Sequence, residues 1–255
     1  MAITLRLGAL LGPIVDAAQP QALAEQARAY AGEGFKSLWT AHAVGRGFML
    51  TDPFIAMAVA ASVTEDIEIG SAIIQIPLYH PLDLAHRVHS LQQICGDRLI
   101  LGVGTGSTES DFQAYGRDPK GRFAVFNETF VALRDGYADG TDANKALSPW
   151  PGLKNPPRIF FGTWGKGVER AASEFDGWIA SGHYRSVDEL RDAAGRYRAA
   201  GGGRSIVSTI LVDKDTDLGE MKERLSAYAE VGFDDAVFMF YPGGPSAADI
   251  MNLMD

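Results

Sequence analysis

One cysteine, Cys95, occurs in 255 residues. A single thiol cannot close an intrachain disulfide, and it cannot build a multi-cysteine zinc site. Cys95 falls at the end of an apolar helical pattern and reads as a small buried hydrophobe. Positive charge is also scarce: 23 Lys and Arg stand against 32 Asp and Glu, a net charge of −9. Such a surface is repelled by nucleic-acid phosphates and by anionic membranes, so neither is an expected partner. No uninterrupted apolar run reaches the roughly 18 residues of a membrane-spanning helix. The start, Met1-Ala2-Ile3-Thr4-Leu5-Arg6, lacks the basic and apolar regions of a signal peptide, and cytoplasm is the expected compartment.

What is present is alternation. Short apolar or β-branched runs read as strands at 3–10, 35–40, 67–76, 98–103, 158–162, 177–181, 205–212 and 236–241. Helical patterns follow them at 21–33, 52–64, 81–95, 122–137, 167–174, 187–200, 218–231 and 245–254. Asp52-Pro53 is a good helix start, since Asp caps well and Pro suits the first turn. Eight β–α units imply a parallel sheet, and the length is close to the roughly 250 residues of a (β/α)8 barrel. An open doubly wound sheet would want a Gly-rich phosphate turn after strand one, and Leu10-Leu11-Gly12-Pro13 is not one. The expected fold is therefore an α/β (β/α)8 TIM barrel, one domain over residues 1–255. The long polar stretch 139–157 is a loop rather than a linker, because the alternation resumes after it.

In such barrels the active site lies at the C-terminal ends of the strands. The residues there are poor in charge: no Lys suited to a Schiff base, and no Asp, Glu and His cluster suited to a metal. They are rich in glycine, hydroxyls and apolar groups, which suits a large flat organic cofactor. Gly162-Thr163-Trp164-Gly165-Lys166-Gly167 runs from a strand into a helix N-terminus. There it is either a phosphate cradle or an ordinary tight turn. Gly102, Gly104 and Gly106 mark either cofactor contact or close backbone approach. His42, just after strand two, is placed for proton handling or for packing. His86 and His89 share a helix face and read as a solvated pair; His80 reads as a cap, and His183 is a secondary candidate.

Several stretches together resemble the luciferase-like monooxygenase family. They are 52–65, 69–74, 80–85, Cys95-Gly96-Asp97-Arg98 through Gly106, Arg122-Phe123 with Glu128, and 171–182. The resemblance implies a bacterial-luciferase-like barrel with reduced insertions, binding reduced FMN or the deazaflavin F420. It implies a bulge at Ala72-Ile73-Ile74, often with a non-proline cis peptide, backing the flavin ring. Gln75, Thr105 and Gly106 complete the expected ring side. Gly162, Thr163, Trp164, Gly165, Ser181 and Gly182 would hold the phosphate, and His42 would be the catalytic residue near the reacting face. This chain has Ala41 where an acid or second His is common, and Ser107 where many deazaflavin dehydrogenases have Glu. The expected activity is a monooxygenase using reduced FMN and O2 on a small organic substrate. An F420-dependent hydride transfer and a non-catalytic flavin-binding barrel are the alternatives, and a phosphate-binding lyase or isomerase a remote one. A flavin reductase and a second copy of the chain are the expected protein partners. The mouth is expected to be open or covered by 139–157.

Overall fold

The computed structural model describes residues 3–12, 21–48, 50–150, 152–153 and 155–254. Its strand segments are β1 (Arg6–Leu10), β2 (Ser37–Thr40), β3 (Glu68–Ser71), β4 (Ile74–Gln75), β5 (Leu99–Gly104), β6 (Arg158–Gly162), β7 (Gly177–Ser181), β8 (Arg204–Val212) and β9 (Asp235–Phe240). They form one parallel sheet in the order β3-β2-β1-β9-β8-β7-β6-β5-β4, and a further β3–β5 pairing closes the ring. β3 and β4 are two pieces of one barrel strand, so the barrel has eight, as expected. Strands such as Leu99-Ile100-Leu101-Gly102-Val103-Gly104 are buried throughout. That is the pattern of a sheet covered on both faces.

The main outer helices are α1 (Ala22–Gly32), α2 (Pro53–Val63), α3 (Pro81–Cys95), α5 (Arg122–Asp135), α7 (Gly167–Glu174), α8 (Val187–Ala199), α9 (Leu218–Val231) and α10 (Ala247–Met251). Asp52 caps α2 by accepting from the Phe54 and Ile55 backbone N–H groups, with Pro53 in the first turn. His80 caps α3 in the same manner through Leu82. Two short helices lie in stretches read as loop: α4 (Glu109–Ala114) and α6 (Asp142–Leu147).

Strand three departs from the uninterrupted run 67–76. The Ala72–Ile73 peptide is cis, and the ladder changes partners there. Ala72 N–H still donates to Thr40 C=O of the β2 side, whereas Ile74 and Gln75 pair with Val103 and Gly104 of β5. A short 3-10 turn at Ile76–Leu78 follows.

The barrel interior is packed by Leu10, Trp39, Ile100, Phe160, Ile179, Ile206, Val237 and Met239, with Ala72 and Ile73 against them. Large rings are accommodated by missing side chains on neighbouring strands. A Cβ at Gly70 would lie 2.5 Å from the Trp39 ring, and one at Gly177 would lie 2.4 Å from Phe160. The N-terminal end of the barrel is closed by charge. The first residues of five strands meet there: Glu68 accepts from Arg6, Arg158 and Arg204, and Asp235 pairs with Arg204 and Arg6. Burial alone would raise the Glu68 pKa, but the hydrogen bonds from Arg204 and Arg158 and the nearby cations hold it down at about 2.

Candidate functional site

At the C-terminal end of the barrel two strand-to-helix segments fold over the mouth: 41–48 after β2 and 105–121 after β5. They are joined by Asp111, a fully buried carboxylate on α4. Arg46 Nε lies 3.0 and 3.1 Å from its two oxygens. Val44 N–H donates to Asp111 Oδ1 at 3.2 Å, and Gln75 Nε2 donates to Oδ2 at 2.6 Å. Burial pushes the Asp111 pKa up, but the Arg46 and Gln75 hydrogen bonds prevail and hold it below the usual carboxylate range. The contact is close: a Cβ on Gly45 would meet the Ser110 carbonyl at 2.5 Å. Asp111, Arg46 and Tyr115 escaped the sequence reading, because nothing local announces a contact across 65 residues.

His42 is 6% exposed and sits inside this clamp. Gln75 N–H donates to its Nδ1 at 3.4 Å, and its Nε2 lies 3.3 Å from the Tyr115 hydroxyl. Tyr79 and Tyr115 flank the ring, with centroids 5.5 and 6.0 Å away. Burial lowers the His42 pKa more than Asp52 and Asp111 raise it, so the ring is neutral at pH 7.

Gln75 Nε2 also donates to the His42 carbonyl at 3.0 Å. Carbonyl and carboxylate oxygens only accept, so the amide orientation is determined. Its Oε1 is then a buried acceptor without a protein partner. A Cβ on Gly106, a residue held at φ +73°, would stand 2.4 Å from that atom. Thr105 is half-buried beside it. The Ile73 side chain crosses to the opposite wall: Cβ atoms on Gly104 and Gly162 would meet it at 2.7 and 2.4 Å. Gly102 likewise faces the Ser71 carbonyl, 1.8 Å from a Cβ position. These three glycines therefore have a packing reason that needs no ligand.

The turn from β6 to α7 contains Thr163, Trp164 and Gly165. Gly165 is held at φ +63°, with nothing within 4 Å of a Cβ position. Trp164 lies under the Arg185 guanidinium, 4.5 Å from its ring centroid. Ser181 ends the neighbouring strand β7, and its buried hydroxyl has no partner. Gly182 N–H donates to Ser208 C=O at 2.7 Å. The sequence-predicted residues thus form two groups: His42 with Gln75 and Gly106, and Gly162 to Gly165 with Ser181. Ile73 and Gly162 touch across the space between them.

Two expectations are corrected. Of the two alternatives for the mouth, cover by 139–157 is not found: the described residues of that stretch lie between the end of α5 and Arg158, at the charged opposite end. There Gln92 of α3 donates to the Asn155 carbonyl at 3.0 Å. His89 is not solvated: it is 2% exposed and stacked on Tyr137 at 4.1 Å. His86 is exposed. A groove of about 520 Å³ lined by Arg28, Ser62, Thr64 and Glu65 also lies away from the mouth, near the end of α2. Among the described residues no group of three or more His, Cys, Asp or Glu side chains is arranged to hold a metal ion. Nor is any described helix long and apolar enough to cross a membrane.

A family model described as luciferase-like monooxygenase matches residues 6–212. A 4-hydroxyprotoasukamycin monooxygenase of Streptomyces nodosus subsp. asukaensis is 36% identical over 88 residues, 34% of this chain and 24% of that protein. The matches to this and the next three curated relatives span 24 to 30% of their lengths. An F420-dependent secondary alcohol dehydrogenase, solved with an F420–acetone adduct, superposes with a TM-score of 0.76 at 15% identity. That match covers 98% of this chain and 97% of the other. The oxygenating constituent of 3,6-diketocamphane monooxygenase of Pseudomonas putida, solved with FMN, has a TM-score of 0.67 at 18% identity, over 89% of this chain and 72% of that one. At such identities the likeness is one of fold.

Proposed function

Because the chain belongs to the luciferase-like monooxygenase family, we propose that it is a flavin-dependent monooxygenase acting with reduced FMN and O2 on a small organic substrate. The observation that carries this reading is the barrel mouth. Its one buried ion pair, Arg46 with Asp111, is internally satisfied, burial lowers the His42 pKa, and polar atoms including Gln75 Oε1 and Ser181 Oγ are buried without partners. Buried polar groups are normally satisfied, and orphans at a site ask for a ligand. These atoms fit a flavin: one accepts from a ring N–H, and the other donates to a phosphate.

Ala72, Ile73, Gln75, Thr105 and Gly106 would line the ring. Gly162, Thr163, Trp164, Gly165, Ser181 and Gly182 would hold the phosphate against the N-terminus of α7, where free backbone N–H groups favour an anion. When bound, the reduced flavin supplies the electrons with which O2 is activated. The protein would exclude water with the Asp111 clamp, and His42 would hold a proton toward the Tyr115 hydroxyl at the mouth. A flavin reductase would supply reduced FMN, and the working unit would be a cytoplasmic homodimer.

The second reading is F420-dependent hydride transfer, since an F420-dependent alcohol dehydrogenase shares the fold. Ser107 speaks against it, since many enzymes of that branch have Glu there. Parallel fluorescence titration with FMN and F420 tests the choice. Tight FMN binding followed by substrate-dependent O2 consumption supports the first reading. Tight F420 binding with no O2 uptake replaces it with the second. Binding of neither removes both.

A further inference from the structure

We propose that Tyr115, not His42, carries the hydroxyl that meets an oxygen of the substrate, and that His42 is the positioning residue behind it. The proposal rests on the oxidoreductase reading above.

His42 has no free edge. A backbone N–H can only donate, so the contact from Gln75 makes Nδ1 the acceptor and puts the neutral ring's proton on Nε2. That N–H points at the Tyr115 oxygen. With its oxygen already accepting, Tyr115 has its own proton free to turn away from the histidine. The two residues also differ in access: His42 is 6% exposed and Tyr115 40%. Of the hydrogen-bonded pair, the tyrosine is the more accessible to an entering molecule.

Tyr115 is not held there by chance. It follows the last residue of α4, and its N–H donates to Phe112 C=O at 3.1 Å. The helix itself is pinned by Asp111 to Arg46, Val44 and Gln75. The same carboxylate therefore fixes both halves of the pair: the helix that presents the phenol, and the glutamine that presents a backbone N–H to the imidazole. The groups facing His42 are Asp52, Asp111, Arg46, Tyr79 and Tyr115. Both carboxylates favour a proton on the ring, whereas burial and Arg46 oppose it.

The chemistry assigned to Tyr115 is hydrogen-bond donation to a substrate oxygen. It requires no change in the charge of His42.

Four proteins test this with the cofactor that binds: wild type, H42A, Y115F and the double variant. Y115F should lower kcat about 10- to 100-fold with KM and cofactor Kd changed less than about threefold, as expected for a contact made in the reacting complex. H42A should fall in a similar range. The double variant should be within about twofold of Y115F alone, because His42 acts only through the phenol. H42Q keeps an N–H donor and should regain most of the activity lost in H42A. Multiplicative losses in the double variant, or full activity in Y115F, would overturn the proposal. A second readout needs no cofactor: nitrogen NMR of the His42 ring should report the Nε2–H tautomer, with a resonance that moves in Y115F. An Nδ1–H ring, or a resonance indifferent to Y115F, overturns the pairing whatever the turnover. The absence of turnover with either cofactor would instead strike the oxidoreductase reading.

Discussion

The two ends of this barrel solve opposite problems. At the N-terminal end, five strand starts bring three arginines and two carboxylates together, and each charge has partners of opposite sign. At the C-terminal end a single buried ion pair, Arg46 with Asp111, joins the two segments, and polar atoms beside it are left without partners. The first arrangement is complete in itself and serves stability. The second is incomplete and serves a ligand, which supplies what the protein withholds. At these two ends, the pairing of charges marks the scaffold and partnerless polar atoms beside an open space mark the site.

The largest effect should come from breaking the charged end. Glu68→Ala leaves Asp235 alone to balance three arginines, and in this partly exposed cluster the loss is expected to be about 2 kcal/mol. Urea unfolding should show that loss, with FMN affinity retained in the protein that remains folded. The pH dependence follows from the same residue. Its folded pKa, near 2, lies below the unfolded value of about 4.5. Screened by solvent at this half-buried position, its contribution of about 1–2 kcal/mol is fully present above pH 4.5 and is lost as the pH falls toward 2. Glu68→Gln should flatten the stability profile across that acid window; an unchanged slope would show that the carboxylate is not the group titrating.

Next in size is Gly162→Ala, which sharpens the comparison by mixing the two functions. Its Cβ would lie 2.4 Å from Ile73 Cγ2, so a stability loss of about 1–3 kcal/mol is expected even in cofactor-free protein. Weaker cofactor binding by this variant is thus no proof of a phosphate site.

The smallest effect on stability, and the cleanest on binding, belongs to Ser181→Ala. Removing an unpartnered buried hydroxyl should leave stability unchanged or raise it by up to about 1 kcal/mol. FMN affinity should fall about tenfold, the worth of one hydrogen bond to a charged group. A clear stability loss with unaltered affinity would mean that Ser181 belongs with the scaffold.

Much of this was legible in the sequence. Eight β–α alternations specify the barrel, because runs such as 98–103 suit only a strand covered on both faces. Asp52-Pro53 marks a helix start through capping chemistry that needs no tertiary context. The interruption at Ala72-Ile73 came from the family resemblance and not from the apolar run itself, which reads as unbroken. The clamp and the charged cluster were hidden for one reason. Asp111, Arg46 and Gln75, like Glu68, Arg158 and Arg204, meet only after the ring has closed, and no local pattern encodes such a meeting. The length of the 139–157 stretch left open whether it covers the mouth. Its position after a helix, rather than after a strand, carries the deciding information. His89 looks polar in a helical wheel, yet it is buried by the flat face of Tyr137.

Asp111 also bears on how the mouth comes into being. It ties α4 to Arg46 and Val44, which lie 65 and 67 residues earlier in the chain. Loops of that length close slowly, because their entropy is lost before the contact rewards it. Strands and helices can form by short-range pairing while the entrance is still open. Competence to bind therefore depends on a tertiary contact, so secondary-structure content alone does not report whether the site has formed.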